Sequence, residues 1–187
     1  MIQLSNISLA FDQRVLMKGV TAHFKRGEMV ALLGRNGTGK STLLRAMAKL
    51  GEVADGEIMV DGHNVADIDI RQFARLVAFV NTERVDVEAL SAYDLVAIGR
   101  SPYTDWRGRL RKEDRAVIER SMQITGIEHL ADRMVETLSD GECQRVMIAR
   151  ALAQDTPVIL LDEPTAFLDL PNRYELCMLL SRLAHDE

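Results

Sequence analysis

Gly34-Arg35-Asn36-Gly37-Thr38-Gly39-Lys40-Ser41 decides how this chain of 187 residues is read. The stretch has the form G-x-x-x-x-G-K-[ST], a loop that wraps the phosphates of a nucleotide. Ahead of it runs the apolar Met29-Val30-Ala31-Leu32-Leu33 and behind it a helical pattern over residues 42–50. Strand, loop and helix are therefore predicted in the order the chemistry requires. Glycines let backbone pass close to phosphates and aim N–H groups at them, and a helix N-terminus adds partial positive charge. Gly34, Asn36, Gly37, Thr38 and Gly39 are the expected cradle and Thr42 continues it into the helix. Lys40 is expected to reach the β- and γ-phosphates and Ser41 to offer its hydroxyl to Mg2+. The loop ties the chain to ATP or GTP.

The remaining composition bounds the answer without fixing a partner. A length of 187 residues suits one compact domain with a small inserted subdomain, and 47% apolar with 27% charged residues is ordinary for a globular chain. The net charge of −5 argues against a general nucleic-acid binder. No apolar run approaches the roughly 20 residues needed to span a bilayer. Met1-Ile2-Gln3-Leu4 lacks a basic region followed by an apolar signal segment. These features predict a cytosolic chain able to dock on something in a membrane. Cys143 and Cys177 are spaced unlike a metal site or a redox pair and read as reduced thiols.

Punctuation along the first third is sheet-like. Ile2, Leu4, Ile7 and Leu9 predict an opening strand, Val20, Ala22 and Phe24 alternate with polar residues, and Gly27-Glu28 turns into the strand feeding the loop. Glu57-Ile58-Met59-Val60 reads as a short strand between the turns Asp55-Gly56 and Asp61-Gly62. A short helix over 70–75 and a buried strand over 76–80 follow, and from 88 to 133 the pattern turns helical. Ser91 opens one helix carrying Leu95, Val96 and Ile98, and residues 112–125 form another with Val117, Ile118 and Ile124 on one flank. Between them lie Arg107, Arg109, Arg111, Lys112 and Arg115, interleaved with Asp105, Glu113 and Asp114, which predicts a solvated, internally paired surface over a nucleic-acid or lipid patch.

Two later segments set the class. Val158-Ile159-Leu160-Leu161-Asp162-Glu163 is an apolar strand ending in two carboxylates, the shape of a Walker B segment. A buried parallel strand delivers its C-terminal residues to the ligand edge of a sheet, so Asp162 is expected at Mg2+ and Glu163 at an attacking water. Many buried strands end in Asp or Glu, and the segment gains weight from Leu138-Ser139-Asp140-Gly141-Glu142-Cys143-Gln144-Arg145. Ser139 with Glu142 also spells an S-x-x-E capping box that any helix could use. The phosphate loop, this segment and the carboxylate strand, in this order and spacing, closely resemble the nucleotide-binding subunit of ABC transporters, whose signature usually reads Leu-Ser-Gly-Gly-Gln.

The resemblance covers essentially the whole chain. It implies an α/β P-loop NTPase with a RecA-like core, an N-terminal antiparallel β subdomain and an inserted α-helical subdomain, with residues 1–85 and 136–187 as core and 86–135 as the helical part. Phe11 matches the aromatic residue that stacks on adenine, though a plain core Phe reads almost as well. In such proteins two subunits face head to tail and each ATP is held by the phosphate loop of one and the signature of the other. Ser139, Gly141 and Glu142 would then lie at the partner's nucleotide, and Asp169, in Thr165-Ala166-Phe167-Leu168-Asp169, would reach across the dimer interface. Asp94-Leu95-Val96-Ala97-Ile98-Gly99-Arg100-Ser101-Pro102-Tyr103 with Trp106 and Gly108 is similar to importers of iron-siderophore, haem and cobalamin complexes, although Gly-Arg-Ser-Pro that simply ends a helix explains the same shape. That subgroup implies Mg2+ and ATP as ligands and a second ATPase subunit and a transmembrane permease as partners. It further implies a solute-binding protein indirectly, no nucleic acid, and a place at the cytoplasmic face of the inner membrane. Competing readings are a soluble ABC protein acting on ribosomes or DNA, and a nucleotide-binding module that does not turn over.

Departures from the family pattern sharpen these expectations. Where the family has a Gln that contacts metal-bound water, this chain has Thr82 followed by Glu83, which implies looser coupling to a permease or a compensating role for Glu83. The family continues into another strand and a switch histidine, so the chain reads as C-terminally truncated, and His185-Asp186 lies inside a helical pattern. Asp140 replaces the first signature glycine and would face the partner's triphosphate. At about 8 Å and an effective dielectric of about 20 the repulsion is about 2 kcal/mol. Asp140→Gly should therefore tighten ATP-driven dimerisation, and sedimentation showing dimers no tighter than the parent's would refute this.

Overall fold

The computed structural model describes residues 2–11, 14–81, 89–166 and 168–186. Its first sheet is antiparallel, in the order β2-β1-β3-β4, from β1 (Ile2–Phe11), β2 (Arg14–Phe24), β3 (Asp55–Val60) and β4 (His63–Asn64). Ile2, Leu4, Ile7 and Leu9 are buried, the odd step from Leu4 to Ile7 being absorbed by a register shift with Asn6 at φ 54°. Gly56, at φ 92°, lets β3 cross the carbonyls of Ser5 and Asn6, into which a Cβ would collide. Leu43, Ala46 and Met47 of α1 (Lys40–Met47) pack on this face with Ile58, Val60 and Leu160.

The second sheet is the parallel pair β5 (Val77–Val80) and β6 (Val158–Leu161), in register from Val77↔Val158 to Val80↔Leu161. Before β5 sits α2 (Ile70–Phe73), capped by Asp69, whose carboxylate accepts the N–H groups of Arg71 and Gln72. Residues 29–33, expected as a third strand, belong to neither sheet among the described residues. Met29 and Leu33 are 59% and 91% exposed. An apolar run becomes a strand only where a neighbouring strand pairs with it, and among the described residues no strand pairs with this one.

The helical block comprises α3 (Ala92–Ala97), a 3-10 stretch Ile98–Tyr103, and α4 (Lys112–Thr125), packed on α5 (Asp140–Ala153). Ser91 and Asp94 form a capping box on α3, as the opening serine suggests. Leu95, Val96, Ile118, Met122, Val146 and Ala149 share one core with Ala78 and Val80 of β5, so the block is continuous with the parallel sheet rather than a separate globule. The final helix, α6 (Leu170–Asp186), places Leu176 against Ile148 of α5 and Leu168. It runs through His185 and Asp186, in line with the helical pattern read there.

One buried ion pair fastens the block. Arg100 Nε donates to Asp114 Oδ1 at 2.9 Å with side chains 7% and 5% exposed, and Arg100 Nη1 donates to the Ala153 carbonyl at the end of α5. Asp114 Oδ2 also accepts the Arg111 N–H, closing the start of α4. Burial pushes the Asp114 carboxyl up, but the Arg111 N–H and the Arg100 guanidinium outweigh it and hold the group below the usual carboxylate value. Asp105 gives its oxygen to the N–H groups of Arg107 and Arg109. Two of the three acids expected to pair the basic cluster are thus engaged by backbone and by Arg100. Removing one partner leaves a buried charge, so Asp114→Ala should cost about 3 kcal/mol in urea unfolding. Because the folded group titrates below the unfolded one, the stability from Asp114 is complete above the unfolded pKa and fades as pH falls through the folded one, a fade the Ala variant should lack.

Candidate nucleotide site

The phosphate loop is shaped by its own backbone before any ligand is considered. Gly37 and Gly39 take φ 77° and 90°, a left-handed geometry costly for other residues. Thr38 Oγ1 donates to the Arg35 carbonyl at 2.9 Å, and Lys40 Nζ donates to the carbonyls of Gly34 and Arg35 at 3.0 and 3.1 Å. An ammonium carries three protons, so the lysine braces the loop with one donor in reserve. Gly39 is the N-cap of α1, without side-chain cap and with no acid in the first turn, so the helix presents bare N–H groups where Ser41 and Thr42 begin. Asn36 and Gly37 lie exposed at the turn.

Asp162 arrives from the other side. The pairing Val80↔Leu161 and the bond from the Asp162 N–H to the Val80 carbonyl, at 2.9 Å, fix it one residue past β6. Its Oδ1 accepts the Ser41 hydroxyl at 2.8 Å, joining residues 121 apart in sequence. Asp162 is 8% exposed, whereas Glu163 is exposed and sits at φ 45°, a strained backbone for a non-glycine residue. A hydroxyl and a carboxylate side by side are the hard oxygen donors that Mg2+ takes, usually with ligand phosphates and water completing its shell. The residues fit the ion. Among the described residues no group of three or more His, Cys, Asp and Glu could hold a metal.

A second group gathers at the start of α5. Ser139 and Glu142 form a capping box: the Ser139 N–H and hydroxyl both donate to Glu142 Oε2 at 2.8 Å, and the Glu142 N–H donates to Ser139 Oγ at 3.3 Å. Arg133 Nη1 reaches Glu142 Oε1 at 3.1 Å while its Nη2 holds the Thr137 carbonyl. The Ser139 N–H and hydroxyl, followed by the Arg133 charge, hold the Glu142 carboxyl below its usual range. Gly141 lies against Asn172, whose amide is 3.2 Å from where a Cβ would stand. Asn172 in turn donates to Asp169 Oδ1 from its N–H at 3.0 Å and its Nδ2 at 2.7 Å. Asp169, expected to reach across an interface, here caps α6 within its own chain.

Arg133 and Asn172 were not foreseen, since neither belongs to a motif and both act through contacts that sequence spacing does not encode. Gly39 is also backed by Leu16 and Met17 of β2, the nearest atom 3.2 Å from a Cβ position. The Phe11 backbone ends β1 opposite Arg14, with its side chain outside the described part, and Thr82 and Glu83 lie outside the described residues.

Comparison with known proteins agrees with this arrangement. The family profile described as ABC transporter matches residues 17–166. An uncharacterised ABC transporter ATP-binding protein of Methanocaldococcus jannaschii is 40% identical over 187 residues, covering 100% of this chain and 64% of that protein. The petrobactin import ATP-binding protein FpuC of Bacillus anthracis is 39% identical, covering 98% and 67%. The ferric enterobactin transport ATP-binding protein FepC of Escherichia coli is 37% identical, covering 97% and 67%. Among solved structures, an inward-facing transporter of metal-chelate type superposes with TM-score 0.85 at 30% identity, covering 98% of this chain and 67% of that one. A dimeric cassette bound to ADP and Pi superposes with TM-score 0.83 at 29% identity, covering 100% and 84%. The chain belongs to the ABC transporter family, as an ATP-binding cassette. It spans about two thirds of the length of these curated relatives, from 64% to 67%.

Gly39→Ala would force an L-residue to φ 90° with its Cβ against Leu16. We expect a stability loss of more than about 1 kcal/mol and a marked drop in nucleotide affinity. Gly27→Ala, at φ 77° with open space, should leave affinity unchanged, and equal affinity losses in both would refute the assignment.

Proposed function

We propose that this chain binds and hydrolyses ATP as the nucleotide-binding subunit of an ABC importer for ferric chelates. The observation that carries the reading is the Ser41–Asp162 bond, which brings the phosphate loop and the carboxylate strand end into one site with Glu163 adjacent. Relatives named for petrobactin import and ferric enterobactin transport, and a neighbour of metal-chelate type, support the cargo class. Haem and cobalamin, which the sequence resemblance also admitted, have no such support among them.

In this reading the loop N–H groups, the α1 N-terminus and Lys40 bind and orient the triphosphate. Ser41 and Asp162 would hold Mg2+, which when bound would supply charge neutralisation on the phosphates. Glu163 orients the attacking water and accepts its proton. Ser139, Gly141 and α5 serve the nucleotide of a second copy, a pairing supported by the dimeric cassette that superposes on this chain. Among the described residues no helix is long and apolar enough to cross a membrane, and the reading places the transport path in a partner permease on which the subunit docks.

Lys40→Ala should abolish Mg-ATP uptake in equilibrium dialysis. Glu163→Gln should retain uptake while hydrolysis falls by at least about 100-fold. Uptake undiminished in Lys40→Ala would remove the site, and wild-type turnover in Glu163→Gln would remove the role of Glu163.

A further inference from the structure

The two helix N-termini that this reading assigns to phosphate are prepared in opposite ways. That of α1 has no side-chain cap and no acid in its first turn, while that of α5 carries Asp140 and Glu142 in its first turn and a closed Ser139–Glu142 box. A serine hydroxyl has one proton to give. Here that proton goes to Glu142 Oε2 at 2.8 Å, and the same oxygen takes the Ser139 N–H at 2.8 Å. The carboxylate cannot swing away freely, because Arg133 grips Oε1 at 3.1 Å and is itself held on the Thr137 carbonyl at 2.6 Å.

Resting on the proposed function, we infer that Glu142, braced by Arg133, is a positioning residue that holds the Ser139 hydroxyl on its own helix cap, so that the signature half-site must exchange this bond for one to the partner's triphosphate before two copies close. The exchange sets a nucleotide threshold for closure. An ionised acceptor makes it steep, since charge-assisted hydrogen bonds are stronger than neutral ones. Glutamine at position 142 keeps a carbonyl oxygen to cap the Ser139 N–H but is a weaker competitor for the hydroxyl proton. The helix start is preserved and the latch is loosened.

The test uses the full chain carrying Glu163→Gln, so that nucleotide is not consumed, and follows dimer formation against Mg-ATP by sedimentation, with monomer uptake measured in parallel. Glu142→Gln should lower the ATP concentration at half-dimerisation by about fivefold, the size expected for exchanging one charge-assisted bond for a neutral one. The shift should vanish in a Ser139→Ala background and survive in high salt. An unchanged midpoint overturns the latch, as does a shift that persists in Ser139→Ala and disappears with salt, which would mark simple charge repulsion. Loss of monomer uptake in the parent would overturn the proposed function itself, and dimerisation absent from parent and variant alike, with uptake intact, would overturn the paired site and the latch with it.

Discussion

The bond between Ser41 and Asp162 organises this molecule, because each end is fixed by a different part of the fold. The hydroxyl is placed by α1, whose start is dictated by Gly39, and the carboxylate by the register of β6 on β5. Side chains in a strand alternate between faces, so a slip of one residue in that parallel pair would exchange Asp162 and Glu163 with respect to the loop. The bond from the Asp162 N–H to the Val80 carbonyl extends the ladder one step past β6 and guards against the slip. Val80 is also part of the core shared with α3, α4 and α5, so packing of the helical block and placement of the carboxylates are one constraint.

That coupling gives the helical block a mechanical meaning. Arg100 joins the 3-10 stretch after α3 to Asp114 at the start of α4 and to the last carbonyl of α5. Arg71 and Arg75, on the α2 side, both donate to the Pro102 carbonyl, and Arg71 also reaches the Thr104 carbonyl. The Tyr103 ring lies under Arg100 at 3.9 Å and near Arg75 at 5.1 Å, while its hydroxyl holds the Asp155 carbonyl. Guanidinium groups thus bind backbone from both sides of one short segment. Displacement of α5 would be felt at α2 and β5 through them.

Local chemistry was legible where it was self-contained. The span 112–125 was read as a helix and is one, because its apolar flank and the acids of its first turn act within the element. The serine openings at Ser91 and Ser139 were equally plain, since capping boxes are sequence-local. Residues 29–33 show the opposite case: their apolarity was visible but their pairing was not, because a ladder depends on what lies alongside. Arg133, Asn172 and Leu16 escaped for the same reason, each acting across elements through contacts that no spacing announces. The antiparallel sheet was foreseen in kind, but β2 begins at Arg14, earlier than its alternating pattern suggested.

The segment from Asp94 to Tyr103, which suggested the cargo class in the sequence, has Gly99, Arg100, Pro102 and Tyr103 committed to contacts within the fold. A Cβ on Gly99 would collide with the Arg150 carbonyl, so glycine there lets the chain pass against α5. Arg100 is spent on Asp114 and Ala153, Pro102 on receiving Arg71 and Arg75, and Tyr103 on Asp155. Such a motif can be shared among relatives because they share a joint, whatever they carry. The cargo reading therefore draws its strength from the named relatives, whereas this segment speaks to how the helical block is hinged on the sheet. The bonds from Arg71 and Arg75 to the Pro102 carbonyl and from Arg100 to the Ala153 carbonyl join α2 and α5 through this one short segment.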